Sequence, residues 1–183
     1  MSALSGHEAI DDLALRHLDA AYNLGRWLLG NEQDAADAVH DAYLRANRFA
    51  ATYAGGDARA WWLAIVRNCC HARLALRKRD ARNVPANTDS DGAAWMPHSE
   101  TDGVERLVDN ARRHDQLMHA VENLPVEFRE TIVLRELEEL SYREIADILG
   151  IPIGTVMSRL ARARALLQKA LSTSMANGDS DGA

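Results

Sequence analysis

Apolar side chains recur along this 183-residue chain at intervals of three and four nearly from end to end, and strict alternation is almost absent. That period predicts an all-α protein. Leu18, Ala21, Tyr22, Gly25 and Leu29 mark the inner face of a first long helix. Gly30 and Asn31 break it, and Asn31 can cap the next helix, whose inner stripe is Ala35, Ala38, Val39, Ala42 and Ala46. A loop of small residues, Ala50 to Asp57 with Gly55 and Gly56 at its centre, leads into a third helix from Ala58 to about Arg79. Trp62, Ile65, Val66, Cys69 and Leu76 are its core positions. From Asn83 to Gly103 the chain turns to Asn, Asp, Ser, Thr, Gly and Pro without a sustained apolar period, which is the composition of a flexible connector. A weak helix around Val104 to Val121 follows, and Pro125 then sits acceptably at the start of a helix from about Val126 to Glu138.

The strongest local pattern spans residues 141 to 164. Ser141 with Glu144 spells a capping box, in which each side chain satisfies a backbone donor left free at a helix start. Tyr142, Ile145, Ala146 and Leu149 then fall on one apolar face, and Gly150 supplies the left-handed turn that stops the helix. A second helix begins near Pro152, with Val156, Leu160, Ala163 and Leu167 inside and Thr155, Ser158, Arg159 and Arg162 on the outer side. Two short helices with a tight turn and a basic, hydroxyl-bearing second helix form a helix-turn-helix suited to a DNA major groove. An ordinary helical hairpin with a solvated basic face is the alternative. Charge argues against it, because residues 152–171 hold four basic side chains and no acidic one in a chain of formal charge -6.

That overall charge looks wrong for a nucleic-acid binder until it is divided. Residues 59–82 carry seven basic and one acidic side chain, and acidic stretches flank both basic blocks. An electrostatic footprint depends on local charge, so two separate DNA contacts and a basic protein partner are all compatible with it. At 47% hydrophobic and 26% charged residues the composition is globular. No apolar run reaches membrane-helix length and no signal-peptide pattern opens the chain, so a soluble cytoplasmic protein without membrane insertion is expected. Cys69 and Cys70 are adjacent, form no CxxC motif, and read as buried small hydrophobes. Asp37 and His40 share a helix face in half of a di-metal pattern, but no second such pair exists, and neither metal nor cofactor is expected. Without a catalytic triad, Gly-rich phosphate loop or HExxH motif, an enzyme is not expected either.

Two further patterns carry chemistry. Asp34, Asp37, Asp41 and Leu44 fall at i, i+3, i+7 and i+10 opposite the alanine stripe, an acidic docking face or simply a solvated one. Phe49, Tyr53, Trp61 and Trp62 stand beside Arg59, Arg67, Arg73, Arg77, Lys78 and Arg79; unpaired bases stack on aromatic rings while phosphates meet cations. At least one of the two tryptophans belongs to the core, and the pattern leaves open which.

These residues resemble a known family. Gly30 through Tyr43 and Arg59 through Asn68 are similar to region two of RNA polymerase sigma factors of the extracytoplasmic-function (ECF) group within the sigma-70 family. Leu124-Pro125 through Arg164, ending in Gly154-Thr155-Val156-Met157-Ser158-Arg159-Leu160-Ala161-Arg162-Ala163-Arg164, is similar to region four. The matches cover about two-thirds of the chain, in the family's order. The resemblance implies a region 2-like helical bundle at residues 8–82, a flexible linker at 83–116, a region 4-like helix-turn-helix at 117–171 and a disordered tail at 172–183.

It also implies partners. Asp34, Asp37, Asp41 and Leu44 would dock on the clamp helices of the largest subunit of core RNA polymerase. Phe49, Tyr53, Trp61, Arg67 and Asn68 would hold the melted minus-ten element of promoter DNA. Arg135, Thr155, Met157, Ser158, Arg159 and Arg162 would meet the duplex minus-thirty-five element, and an anti-sigma protein would cover these surfaces. The chain departs from the family at His40, where glutamine is usual, at Asp41, where glutamate is commoner, and at Met157, where many relatives carry Lys or Arg. Met157 cannot donate a hydrogen bond, so its contact would be apolar. The competing reading is a stand-alone helix-turn-helix regulator, which leaves the acidic face and the Trp-Trp helix without a purpose.

Overall fold

The computed structural model describes residues 7–50, 53, 55–83 and 104–178, and within them the side chains of 9–50, 53, 55–82 and 113–172. Eight helices follow one another with no strand among the described residues: α1 (His7–Arg16), α2 (Leu18–Leu29), α3 (Glu32–Phe49), α4 (Ala58–Asn83), α5 (Val104–Glu122), α6 (Val126–Glu136), α7 (Tyr142–Leu149) and α8 (Ile153–Gly178). Helices α1 to α4 pack on one another as a first bundle, and α5, α6 and α7 gather around α8 as a second.

Local signals place most helix ends. The Asn31 side chain accepts a hydrogen bond from the Asp34 backbone N–H at 2.8 Å, opening α3 with its alanine stripe fully inward. Those alanines let neighbouring helices come close, and Gly25 of α2 takes this furthest. A Cβ added at Gly25 would stand 3.2 Å from Ala35, so any larger residue there would push α2 and α3 apart. At α7 both halves of the capping box form: the Ser141 N–H donates to Glu144 Oε2 at 2.7 Å and the Glu144 N–H to Ser141 Oγ at 3.2 Å. Gly150 then takes φ +66° and ends the helix. Ser141→Ala should lower stability by about 1 kcal/mol, measured by urea unfolding, while Ser141→Asp, which keeps an acceptor, should recover most of it.

The structure differs from the sequence pattern in several places. An additional helix, α1, contributes Ile10, Leu13 and Ala14 to the core, and the Tyr43 hydroxyl of α3 ties to it by donating to Asp11 at 2.6 Å. Leu18 is 44% exposed, whereas Leu24 and Leu28 are buried, because α2 is central and packs against α3, α4 and also α6. Leu76 is 55% exposed rather than in the core. At about 1.5 Å per residue, the 26 residues of α4 outrun the 18 of α3, and residues 75–82 near the end of α4 are exposed. Residues 172–178 continue α8 instead of forming a disordered tail, with the Ser172 hydroxyl bonded to the Gln168 and Lys169 carbonyls. Most of the expected linker, residues 84–103, lies outside the described residues, as do residues 179–183 of the expected tail.

The two bundles share one contiguous apolar core, with α4 against α7 and α2 against α6. Helix α6 is buried over five consecutive residues, Glu130 to Leu134. Burying a Val, Leu or Ile side chain is worth about 1.5–3 kcal/mol, so α6 ties both bundles together through more than its charges. Cys69 and Cys70 are buried as expected, and desolvation pushes the Cys70 thiol up to about 12, which leaves it protonated and inert.

Candidate functional site

On α3 the acidic stripe exists but is not bare. Arg73 of α4 reaches across it, 2.8 Å from Asp41, 3.5 Å from Asp37 and 3.7 Å from Asp34, and Arg77 pairs with Asp34. Asp34 is thereby tucked away, whereas the side chains of Asp37 and Asp41 stay 46% and 47% exposed next to Leu44 at 45%. The sequence placed the four on one face; it did not foresee that α4 would hold three of them from behind. Asp37 therefore has a guanidinium as its neighbour, and no group of three or more His, Cys, Asp or Glu suited to a metal forms among the described residues.

The aromatic residues separate cleanly. Trp62 is fully buried and Trp61 half-buried, its ring 5.3 Å from that of Tyr53 at a tilt of 59°. The Tyr53 hydroxyl donates to the Gly56 carbonyl, which braces the loop before α4. Tyr53, Gly55, Asp57, Ala60, Trp61 and Ala64, together with Asp147 of α7, line an open cleft of about 360 Å³. This volume falls within the range of about 300–1,000 Å³ that holds small ligands. Phe49 is 53% exposed at the loop's start, and Asn68 is exposed one helical turn beyond Ala64; residues 51, 52 and 54 of the loop lie outside the described set.

Arg67 does not face solvent with Asn68. Its guanidinium forks onto Glu130 of α6, Nε to Oε2 at 2.8 Å and Nη2 to Oε1 at 2.9 Å. His71 Nε2 lies 2.7 Å from the same carboxylate, and Arg159 of α8 approaches it at 3.4 Å. Glu130 is 1% exposed. Burial opposes its ionisation, yet hydrogen bonds from His71 and Arg67 and the positive charge behind them outweigh that and hold its carboxyl below the usual value. A buried carboxylate held by two guanidiniums and an imidazole stays ionised, and removing it would strand the two guanidiniums.

On the helix-turn-helix, Met157, Ser158 and Arg162 are exposed and share the outer side, and Thr155 is half-buried. Two expected members of this face are otherwise engaged. Arg159 turns inward to Glu130, and Arg135 donates to the Leu140 carbonyl at 2.7 Å with its guanidinium 5.1 Å over the Tyr142 ring. Arg135 thus fastens the turn from α6 into α7, where Glu139 adopts φ +53°.

Sequence reasoning missed Glu130, His71 and a second cross-bundle clamp. Glu138 of the α6–α7 turn accepts from Arg59 at 3.3 Å and from Asn23 at 3.4 Å, and Arg129 donates to the Trp27 carbonyl at 3.0 Å. One clue was present, a lone glutamate directly before the run Thr131-Ile132-Val133-Leu134. A charge at the head of an apolar run needs a partner, but nothing local names it.

Comparison with known proteins fits this two-part layout. Residues 13–81 match the family model for sigma-70 region 2 and residues 114–167 that for sigma-70 region 4. ECF RNA polymerase sigma factor SigW of Bacillus subtilis is 30% identical over 173 residues, covering 90% of this chain and 89% of that one. The chain belongs to the ECF sigma factors. The SigE sigma factor of Mycolicibacterium smegmatis is 32% identical over 166 residues, 86% of this chain but 60% of that protein's length. The sigma factor RpoE of Bartonella quintana, solved with the anti-sigma factor NepR, is similar over 88% of this chain and 96% of its own, with a TM-score of 0.69 and 26% identity. As an ECF sigma factor the chain acts in transcription initiation through RNA polymerase, and no helix among its described residues is long and apolar enough to cross a membrane. A stand-alone regulator has no use for the region 2 match.

Proposed function

We propose that this sigma factor brings core RNA polymerase to a set of promoters by docking through Asp37, Asp41 and Leu44, melting the minus-ten element beside Tyr53 and Trp61, and reading the minus-thirty-five element with α8. The observation that carries the reading is the placement of the half-exposed Trp61 and Tyr53 over a cleft of one-base size next to exposed Asn68. Opening DNA costs about 1.4 kcal/mol per stacked step. A captured base returns about 1–3 kcal/mol when it stacks on an aromatic ring. One or two captured bases therefore offset most of the local cost, and the factor needs no covalent chemistry. The acidic stripe supplies sign complementarity for basic clamp helices of the largest polymerase subunit. An anti-sigma partner fits this chain as NepR fits its relative, and the cytoplasm, where polymerase works, is the place of action.

Transcription in vitro with purified core enzyme tests the reading: discrete start sites should arise only when the factor is added. In the same assay Arg162→Ala should weaken use of a minus-thirty-five-dependent promoter by about 1–3 kcal/mol, roughly 5- to 150-fold, while core polymerase is still captured in a pull-down. Unaltered promoter use would remove α8 as the reader.

A further inference from the structure

The outer side of α8 is divided lengthwise. Thr155, Ser158 and Arg162 fall at i, i+3 and i+7 and form one row, and Gly154, Met157 and Ala161 repeat the spacing one position earlier as a second row beside it. The first row is polar, and the second carries no side chain that donates a hydrogen bond. Met157 is 54% exposed and Gly154 and Ala161 are exposed with it, while Val156, Leu160 and Ala163 fill the core behind them.

Neighbouring cations leave the second row apolar. Arg164, two turns beyond Met157 on the same side, is drawn off to Glu136 of α6 at 2.7 Å, and Arg159 turns to Glu130. Ser158 directs its hydroxyl back to the Thr155 carbonyl at 3.0 Å. A Cβ added at Gly154 would meet nothing of the protein within 4 Å, so bare backbone at the head of this row serves a close approach from outside and not the packing inside.

The major-groove edges of the four bases differ in one apolar feature, the 5-methyl group of thymine. Opposite an apolar row, guanine N7 and O6 or the cytosine N4 amine would lose water and gain no partner, which costs affinity. A thymine methyl taken out of water gains about fourfold in affinity instead. Methionine suits that contact, because its unbranched, polarizable side chain moulds to irregular apolar surface.

We infer that Met157 and Ala161 read thymine methyl groups in the minus-thirty-five element, at positions where a basic side chain would select guanine. Four residues of helix span about 6 Å and base pairs are about 3.4 Å apart, so the two thymines lie one or two base pairs from each other, on either strand. The inference rests on α8 being the reader, as in the proposed function, and adds what it reads.

Binding of holoenzyme to a promoter it uses in vitro, rebuilt from synthetic strands with uracil in place of each minus-thirty-five thymine in turn, tests it, since uracil lacks only the methyl group. Wild-type holoenzyme should bind about fourfold less tightly at one or two of these substitutions. At one of them Met157→Ala should bind the thymine and uracil duplexes alike, and Met157→Arg, a change at an exposed position that the fold tolerates, should prefer guanine there. An element without an A·T pair, binding indifferent to uracil at every position, or a uracil penalty that Met157→Ala leaves in full everywhere overturns the inference. Arg162→Ala separates the two readings. If it weakens promoter use while uracil has no effect, α8 still reads the element and only the methyl contact falls; if neither change matters, the reader itself is wrong.

Discussion

Replacing Asp37 and Asp41 together with lysine will abolish capture of core RNA polymerase in a pull-down. These are the two carboxylates of the stripe that remain about half exposed, with Leu44 beside them. Two reversals turn an attractive face into a repulsive one, and like charges set against each other across an interface cost several kcal/mol, about a hundredfold or more in affinity. The same substitutions also bring lysines up to Arg73, which now rests on both aspartates. Partly exposed pairs of this kind are worth about 0–1 kcal/mol each, so the first bundle should lose a little stability and remain folded. Asp37→Asn with Asp41→Asn removes the attraction without the repulsion and should weaken capture to an intermediate degree. Glu32→Lys changes the charge on the same helix away from the stripe and should leave capture intact. Wild-type capture by the double lysine variant, with a normal thermal melt, would sink the docking assignment.

The second large effect separates the paired tryptophans. Trp62→Ala should cost the first bundle about 3–5 kcal/mol, since Trp62 is the largest fully buried side chain among the described residues. Set against a total stability of about 5–15 kcal/mol, that is a large fraction, and each kcal/mol lowers the melting midpoint by about 4–8 °C in a domain of this size. Trp61→Ala should do the reverse. Its ring is half-buried and leans on Tyr53 at the cleft, so stability should fall by about 1 kcal/mol, as for loss of an aromatic pair, while permanganate footprinting should report loss of the opened minus-ten region. Equal destabilisation by the two substitutions would mean that the division between core and cleft is wrong.

The charged groups of the site were only half legible in the chain. The stripe of Asp34, Asp37, Asp41 and Leu44 followed from helical spacing, and so did the outer placement of Ser158 and Arg162. The pairing of Arg73 and Arg77 with that stripe did not, because the partners are more than thirty positions apart and meet only when α3 and α4 pack. Arg135 illustrates the same limit. The family resemblance implied a DNA contact for it, and the turn folds back so that its guanidinium meets the Leu140 carbonyl and the Tyr142 ring.

What the chain's order of residues determined by itself is local. The helical period, the Asn31 and Ser141 caps, the Gly150 stop and the alanine face of α3 act within a few positions of one another, where backbone hydrogen bonding and side-chain spacing leave little choice. Tertiary structure decided which tryptophan is core, how α2 is turned, and above all which cations stay exposed and which face Glu130. A guanidinium has no local preference between a carboxylate and a phosphate, so its partner is whichever anion the packing of distant helices brings within reach.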